Sequence, residues 1–522
     1  MKTKYALIMS AALLCAAPVA AQETYQDTKL IENELNGTAR YVGMGGAMEA
    51  LGADISTMST NPAGIGLFRR SQVSLSGGLV AQSGENTRIY NNLGEMASIN
   101  GNKTNASFDQ VGFVWSQRTG RNSFLNLGFN YHKSRNFDQI LTAANSLSYA
   151  SLNKLTAIKY DGGLAQQGSM AWSGLDNSYA SLLAKNTDAT TGTTSLDYLN
   201  GTNYMFGQYQ KGYIGEYDFN ISGNIHDRVY LGLTFGIHDV NYRSNKYYTE
   251  DLENSTFSEN RETLKIDGTG YDVKFGAIFR PFEESPFRIG LYVNTPVFYD
   301  LTMKGTTDVT LLGSNVGDYG DHCDYDFKVY TPWKFGVSLG HTIDQVLALG
   351  FTYEYSDYSA VDNRINNGTY VGWYGETYDS SESDDVMNDN ADAVLKGVHT
   401  LKLGMEFKPV QDFSVRIGYN YVSPQFKESG FRDQSIQSPG VGYATSADYT
   451  NWKATNRLTC GLGYTHQNFS VDLAYQYAQT DGDFYPFMSY DGDKEAANNN
   501  IATGSKVSFK RNQVLLTLGY RF

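Results

Sequence analysis

Cysteine is nearly missing from this chain: 522 residues hold only 3. A disulfide scaffold and a cysteine-rich metal site are therefore excluded. Beyond the first 21 residues no stretch reaches the ~18 apolar residues of a spanning helix, and the mean hydropathy is −0.40, so a helical membrane bundle is excluded as well. Lys/Arg-rich runs are absent and the formal net charge is −14, which leaves nothing to hold a phosphate backbone, and no nucleic acid is expected as a partner. Neither G-x-S-x-G nor H-E-x-x-H occurs. The seven histidines are His132, His226, His238, His322, His341, His399 and His466. His132 and His238 fall where they can face the inside of a sheet, but Asp239, next to His238, must then point to the other face. No enzyme, cofactor or resident metal is expected. What the chain does hold is aromatic side chains, 14% of all residues with 39 Tyr and 27 Phe, which argues against disorder.

The first 21 residues read as a secretory signal peptide, with Lys2 and Lys4 before an apolar run over residues 6–17 and the small residues Val19, Ala20 and Ala21 at the cleavage site. The mature chain is expected to begin at Gln22. Cys15 follows Leu14 rather than a small residue, so it reads as part of the apolar run and not as a lipid attachment point.

From Ser71 onward the hydrophobic period is two. Val514, Leu516, Leu518, Tyr520 and Phe522 alternate with Leu515, Thr517, Gly519 and Arg521; Phe413, Val415, Ile417 and Tyr419 alternate with Ser414, Arg416, Gly418 and Asn420. Fourteen such segments follow one another, joined by six short turns (118–122, 226–228, 281–286, 343–345, 409–412, 467–468) and seven long polar loops (84–107, 134–211, 250–262, 304–324, 360–395, 423–452, 480–505). Alternate short and long connections predict an all-β, 14-stranded antiparallel transmembrane β-barrel over residues 71–522, with short periplasmic turns and long extracellular loops. This places the chain in the outer membrane of a Gram-negative bacterium, in contact with its lipid and lipopolysaccharide. Tyr131, Tyr353, Tyr355, Tyr419, Tyr421, Tyr475 and Tyr477 fall toward the long loops, and Phe279, Phe407, Phe413, Tyr464, Phe469, Tyr520 and Phe522 toward the short turns, as two interfacial girdles require. The terminal Phe522 is expected to address the strand to the barrel-assembly machinery.

Register follows from cost. Lys274, Lys334, Lys402 and Arg416 share the polar phase with Glu216, Asp218, Glu354, Glu406 and Asp472. A slip of one residue would turn all four cations to lipid, at about 2–4 kcal/mol each near the midplane. The interior is thus predicted to be polar and of mixed charge.

Residues 22–70 lack this alternation and cannot face lipid, because irregular backbone in hydrocarbon leaves polar groups unsatisfied. They contain Gly43-Met44-Gly45-Gly46-Ala47 and, further on, Asn61-Pro62-Ala63-Gly64. Met48 stands where a dinucleotide-binding G-x-G-x-x-G needs its last glycine, which disfavours a phosphate loop. The two motifs at this spacing, behind a signal peptide and ahead of a barrel, resemble the start of the FadL-like/TodX family of outer-membrane transport proteins. That resemblance implies an N-terminal hatch in the lumen, with Gly43, Met44, Gly45, Gly46, Asn61, Pro62 and Ala63 as its gating residues. It also implies uptake of hydrophobic small molecules such as fatty acids or aromatic hydrocarbons. In the family the exit is a lateral gap at a kinked strand, which by position falls here on residues 124–132 with Asn126, Gly128 and Asn130 on the inner face.

Two loop features remain. Trp172, Leu175, Tyr179, Leu182 and Leu183 recur at helical spacing and predict an amphipathic helix near residues 169–185, either packed as a cap or offering a groove for ligand capture. Glu376, Asp379, Glu382, Asp384, Asp385 and Asp389 form an acidic stretch without EF-hand spacing, read as a solvated loop that could otherwise hold Ca²⁺. The competing functions are a porin for polar solutes and a surface receptor, for haem for example, whose hatch never opens.

Overall fold

The computed structural model describes residues 23–84, 87–90, 96–161, 172–192, 194–312, 317–344, 346–442, 444–491 and 499–522. The expected signal peptide, with Cys15, and the cleavage point at Gln22 lie outside them. Nineteen strand segments form one sheet that closes on itself where Gln72–Ser83 pairs with Ser505–Arg521. Five pairs of segments run on end to end, which leaves fourteen antiparallel staves. In order they are Gln72–Ser83, Lys103–Arg118, Phe124–Asn136 with Gln139–Ser146, Gly201–Ile225, Val229–Leu252, Phe257–Phe279, Arg288–Asn294 with Phe298–Leu312, and Gly317–Tyr330 with Lys334–Ile343. Leu347–Asp357 with Asp362–Val371, Thr377–Ser383 with Gly397–Val410, Phe413–Val422, Tyr449–His466, Phe469–Tyr485 and Ser505–Arg521 complete the ring. Pro296 and Pro332 stand in the breaks of the seventh and eighth staves, where a residue without an N–H costs no ladder bond.

The phase is the one the charges demand. Leu458 is 58% exposed on the outer face while its neighbour Arg457, facing inward, is 5% exposed. Lys274, Lys402 and Arg416 are buried in the lumen, and Lys334 is half-buried there beside Glu354. At the short-turn rim Phe469 and Tyr520 face each other in register with ring centres 4.7 Å apart, and Tyr520 stacks in turn on Phe522.

Two expected loops are mostly strand. Val229–Leu252 and Phe257–Phe279 pair from end to end through residues 250–262, and Phe298–Leu312 pairs with Gly317–Tyr330 across most of residues 304–324. The long insertion also shortens, because the third stave runs on to Ser146 and the fourth begins at Gly201. The reason lies on the outer face, which changes from Leu231, Leu233 and Phe235 to Asp239, Asn241, Arg243 and Asn245. Above the apolar belt that face meets water, so the alternation that marks a lipid-facing strand fades while the backbone ladder continues.

Candidate functional site

Residues 23–70 fill the lumen. Between Ala39 and Gly66 only Arg40, Ala53, Ser59 and Thr60 are less than fully buried. The segment enters among the long loops: the helix Thr24–Ile31 sets Tyr25 against Phe426 with ring centres 4.7 Å apart, and Thr24 Oγ1 against Met387 Sδ of the helix Asp385–Val394. It then descends through the short helix Ala39–Gly43, whose N-cap Thr38 accepts a hydrogen bond from the Tyr41 N–H. Gly45 and Gly46 follow with φ of 63° and 78°. A Cβ on Gly45 would lie 2.8 Å from the backbone nitrogen of Tyr419, so glycine is needed both for conformation and for space. At the lower end Asn61 caps the 3-10 helix Pro62–Leu67, its Oδ1 accepting from the Ala63 N–H and its Nδ2 donating to the Glu49 carbonyl. All seven hatch residues singled out in the sequence therefore lie inside the barrel.

The wall has been thinned to receive them. A Cβ on Gly404 would lie 2.4 Å from the Met44 carbonyl oxygen, on Gly418 2.2 Å from Gly45 N, on Gly350 1.9 Å from the Ala47 oxygen, and on Gly276 2.0 Å from Asn61 Oδ1. Buried ion pairs fasten the hatch. Lys402 Nζ is 2.8 Å from Glu49 Oε1, Arg40 Nε is 3.0 Å from Glu406 Oε2, and Arg511 Nη1 is 2.7 Å from Glu34 Oε2.

Beside the helix Thr24–Ile31 lies a cavity of about 150 Å³, lined by Tyr25, Phe137, Leu141 and Tyr449 together with Lys29, Arg135 and Arg457. A cavity of that size elsewhere admits one benzene-sized molecule. Arg135 is engaged by Glu32 at 2.8 Å, whereas Arg457 donates to Asn420 Oδ1 and has no carboxylate within ion-pair distance among the described residues. Arg135, Phe137 and Leu141 belong to the third stave just past His132, where its pairing with the second stave stops.

The sequence-derived exit residues sit elsewhere. Residues 124–132 pair without interruption on both sides. Asn126 donates to the Ile65 carbonyl, a Cβ on Gly128 would lie 2.2 Å from Met58 Cε, and Asn130 accepts from Gln110. The parting of the wall begins one residue higher. Of the capture residues, Leu175 and Tyr179 are buried in the helix Gly174–Leu182, where the Tyr179 hydroxyl meets Ser258; Leu183 is also buried, Leu182 packs beside them, and Trp172 donates to Asn177. Leu175, Tyr179 and Leu183 form the interior of a cap, with Leu182 and Trp172 at its edge. In the acidic stretch Asp384 caps the helix Asp385–Val394, accepting from the Met387 N–H and from Ser438; Asp385 and Asp389 on that helix and Glu376 and Glu382 ahead of it are exposed, and the side chain of Asp379 lies outside the described residues. Sequence reasoning missed Glu34, Asn36 and Arg457. It also missed that His132, Glu216 and Asp218 converge, because they come from strands some 85 residues apart.

No known family's sequence profile matches the chain, and no curated protein matches it in sequence. Among solved structures it is similar to a Pseudomonas aeruginosa FadL homologue, with 12% identity over 94% of this chain and 99% of that one at a TM-score of 0.49. It is also similar to the Ralstonia pickettii toluene transporter TbuX, with 14% identity, the same coverages and a TM-score of 0.49. The P. putida toluene transporter TodX matches at 11% identity, over 94% of this chain and 99% of that one, with a TM-score of 0.47.

Proposed function

We propose that the protein is an outer-membrane channel that takes up hydrophobic small molecules, with fatty acids and aromatic hydrocarbons as the substrate classes. One observation carries this reading: a cavity of about 150 Å³ lies between the helix Thr24–Ile31 and the wall, beside the part of the third stave that no longer pairs with the second. A water-filled pore offers an apolar solute nothing, whereas a half-apolar chamber on a plugged axis does. Arg457, with no carboxylate within ion-pair distance among the described residues, offers a seat for an acidic head group, and Phe137, Leu141 and Tyr449 supply apolar surface for a benzene-sized part of the substrate. A polar-solute porin is disfavoured, because the hatch occupies the axis such a solute would use.

The test is equilibrium binding of radiolabelled oleate and of toluene to the purified protein, run beside planar-bilayer conductance. Saturable binding that weakens at least tenfold in Phe137→Arg or Arg457→Ala, with a silent bilayer trace, supports uptake. Steady conductance with no saturable binding overturns it in favour of the porin.

A further inference from the structure

Strand register writes a row of ionisable side chains across the lumen, away from the cavity just described. Glu216 lies opposite His132 on one neighbouring stave and opposite His238 on the other. Two residues on, Asp218 lies opposite Asn130 and Gly236. Gly236 makes room here: a Cβ would stand 2.1 Å from Asp272 Oδ1 and 2.6 Å from Lys274 Nζ, so only glycine lets those two side chains reach the row. Asp218 is 0% exposed and Glu216 1%.

The oxygens of the carboxylates divide into two sets. Lys274 Nζ lies 2.8 Å from Glu216 Oε1, 3.0 Å from Asp218 Oδ1 and 2.8 Å from Asp272 Oδ1. The second oxygens of Glu216 and Asp218 face His132 instead, Oε2 at 3.6 Å from Nε2 and Oδ2 at 3.8 Å from Nδ1, opposite ring nitrogens of which an ion takes one; Nδ1 also lies 3.4 Å from Asn130 Nδ2. Both carboxylate separations are too long for hydrogen bonds. Asp218 Oδ2 has no hydrogen-bond partner although it is completely buried, a state that native structures avoid unless something else occupies the gap.

The spacing has a chemical meaning. Two ligand atoms, each roughly 2.1 Å from a tetrahedral ion, stand about 3.4 Å apart. One ligand atom from each of His132, Glu216 and Asp218 lies within 4.8 Å of the other two. With all three carboxyls ionised, the single ammonium of Lys274 leaves two negative charges, which a divalent ion offsets. An imidazole nitrogen with two carboxylate oxygens suits the zinc class, whereas Ca²⁺ and Mg²⁺ call for more oxygen donors. His238 Nδ1, 4.0 Å from Glu216 Oε2 and without a hydrogen-bond partner, stands ready as a fourth ligand.

We propose that His132, Glu216 and Asp218 form a binding site for a divalent transition-metal ion of the zinc class in the barrel lumen, tying the third and fourth staves together, with His238 extending the tie to the fifth. Hatch residues Leu30, Ile31 and Asn33 border a small cavity that Glu216 and His238 also line, so the bound ion stiffens the wall beside the hatch.

The test uses metal-free full-length mature protein in detergent, without a histidine tag, titrated with Zn²⁺ and separately with Co²⁺. One ion per chain is expected, with the Co²⁺ visible bands saturating at one equivalent. Asp218→Asn and His132→Gln should each weaken binding tenfold or more, and His466→Gln, on an exposed turn, should leave it unchanged. Heat-modifiable migration on gels reports that each variant still forms a barrel. X-ray absorption on the zinc-loaded wild type supplies a readout that needs no variant, since at least one imidazole nitrogen must appear in the ligand shell. Absence of stoichiometric binding, a shell without imidazole, or unchanged binding in the folded Asp218→Asn and His132→Gln variants overturns the proposal.

Discussion

Glu34 of the hatch donates its backbone N–H to the carbonyl of Ser134 in the wall at 2.8 Å, two residues past the last residue of that stave to pair with its neighbour. The Glu34 carboxylate accepts from the Asn136 N–H, and Asn36 donates to the Lys133 carbonyl. The hatch therefore supplies hydrogen bonds that the second stave would otherwise make. Glu34→Pro removes both the donor and the carboxylate, and a lost hydrogen bond costs about 0.5–1.5 kcal/mol. Hydrogen exchange at the Asn136 amide should accelerate by roughly tenfold. An unchanged rate would mean that the adjoining wall alone holds this stave.

The glycine lining of the wall makes a sharper prediction about the plug. Gly350→Val and Gly418→Val place side-chain atoms where the Ala47 oxygen and Gly45 nitrogen now stand, at 1.9 and 2.2 Å from a bare Cβ. Neither backbone can give way without the hatch moving. Both variants should convert a silent bilayer trace to steady conductance. Gly223→Ala is the control, since nothing lies within 4 Å of its added Cβ. Conductance from the control alone, or silence from both valine variants, would show that the hatch is not seated against these positions.

How much of this was legible in the chain depends on which solvent each residue meets. Leu458 against Arg457, or Ile417 against Arg416, are told apart by lipid on one side and a polar lumen on the other, so strand phase and the start of the first strand at Gln72 are readable. Over residues 304–311 the alternation reverses, with Val309 and Leu311 buried inward and Lys304, Thr306 and Asp308 exposed outward, although the ladder continues. Gly404 and Gly418 look like ordinary strand glycines until Met44 and Gly45 are known to lie against them. The convergence of His132 with Glu216 rests on a register between strands with an insertion between them, which no local pattern encodes.

Glu250 gives the cap at the long-loop end a pH response. It lies near the top of the fifth stave, far above the apolar belt, where its carboxylate accepts from the Leu152 N–H at 2.8 Å and from the Tyr248 hydroxyl. Burial pushes this carboxyl up from 4.5 to about 7. A raised acid binds more protons when folded than when unfolded, so the cap loses stability as pH rises from about 4.5 to 7, by roughly 3 kcal/mol in all, and does not change further above that range. Proteolysis within the helix Leu152–Asp161 should be slower at pH 5 than at pH 8. In Glu250→Gln the difference should disappear; a difference that persists would place the titrating group elsewhere.

The pairing of Lys402 with Glu49 decides how firmly the hatch is held. Glu49 is fully buried, and its carboxylate accepts from Lys402 Nζ at 2.8 Å, from Tyr41 Oη at 3.0 Å and from Thr352 Oγ1 at 2.7 Å. Lys402→Met leaves the carboxylate two hydroxyl donors but no countercharge, at a cost of about 3–5 kcal/mol. Removing both charges, as in Lys402→Met with Glu49→Gln, takes away the uncompensated ion and should restore most of that loss. The readout is proteolysis of residues 44–54 in the folded barrel, fast in the single variant and near wild type in the double. Because Lys402 belongs to the wall and Glu49 to the hatch, the coupling energy from this cycle measures attachment of the plug rather than strength of the barrel. If the double variant is cleaved as fast as the single, hydrophobic seating of Met44, Met48 and Leu51 contributes less than their burial implies, and the hatch is an electrostatic latch.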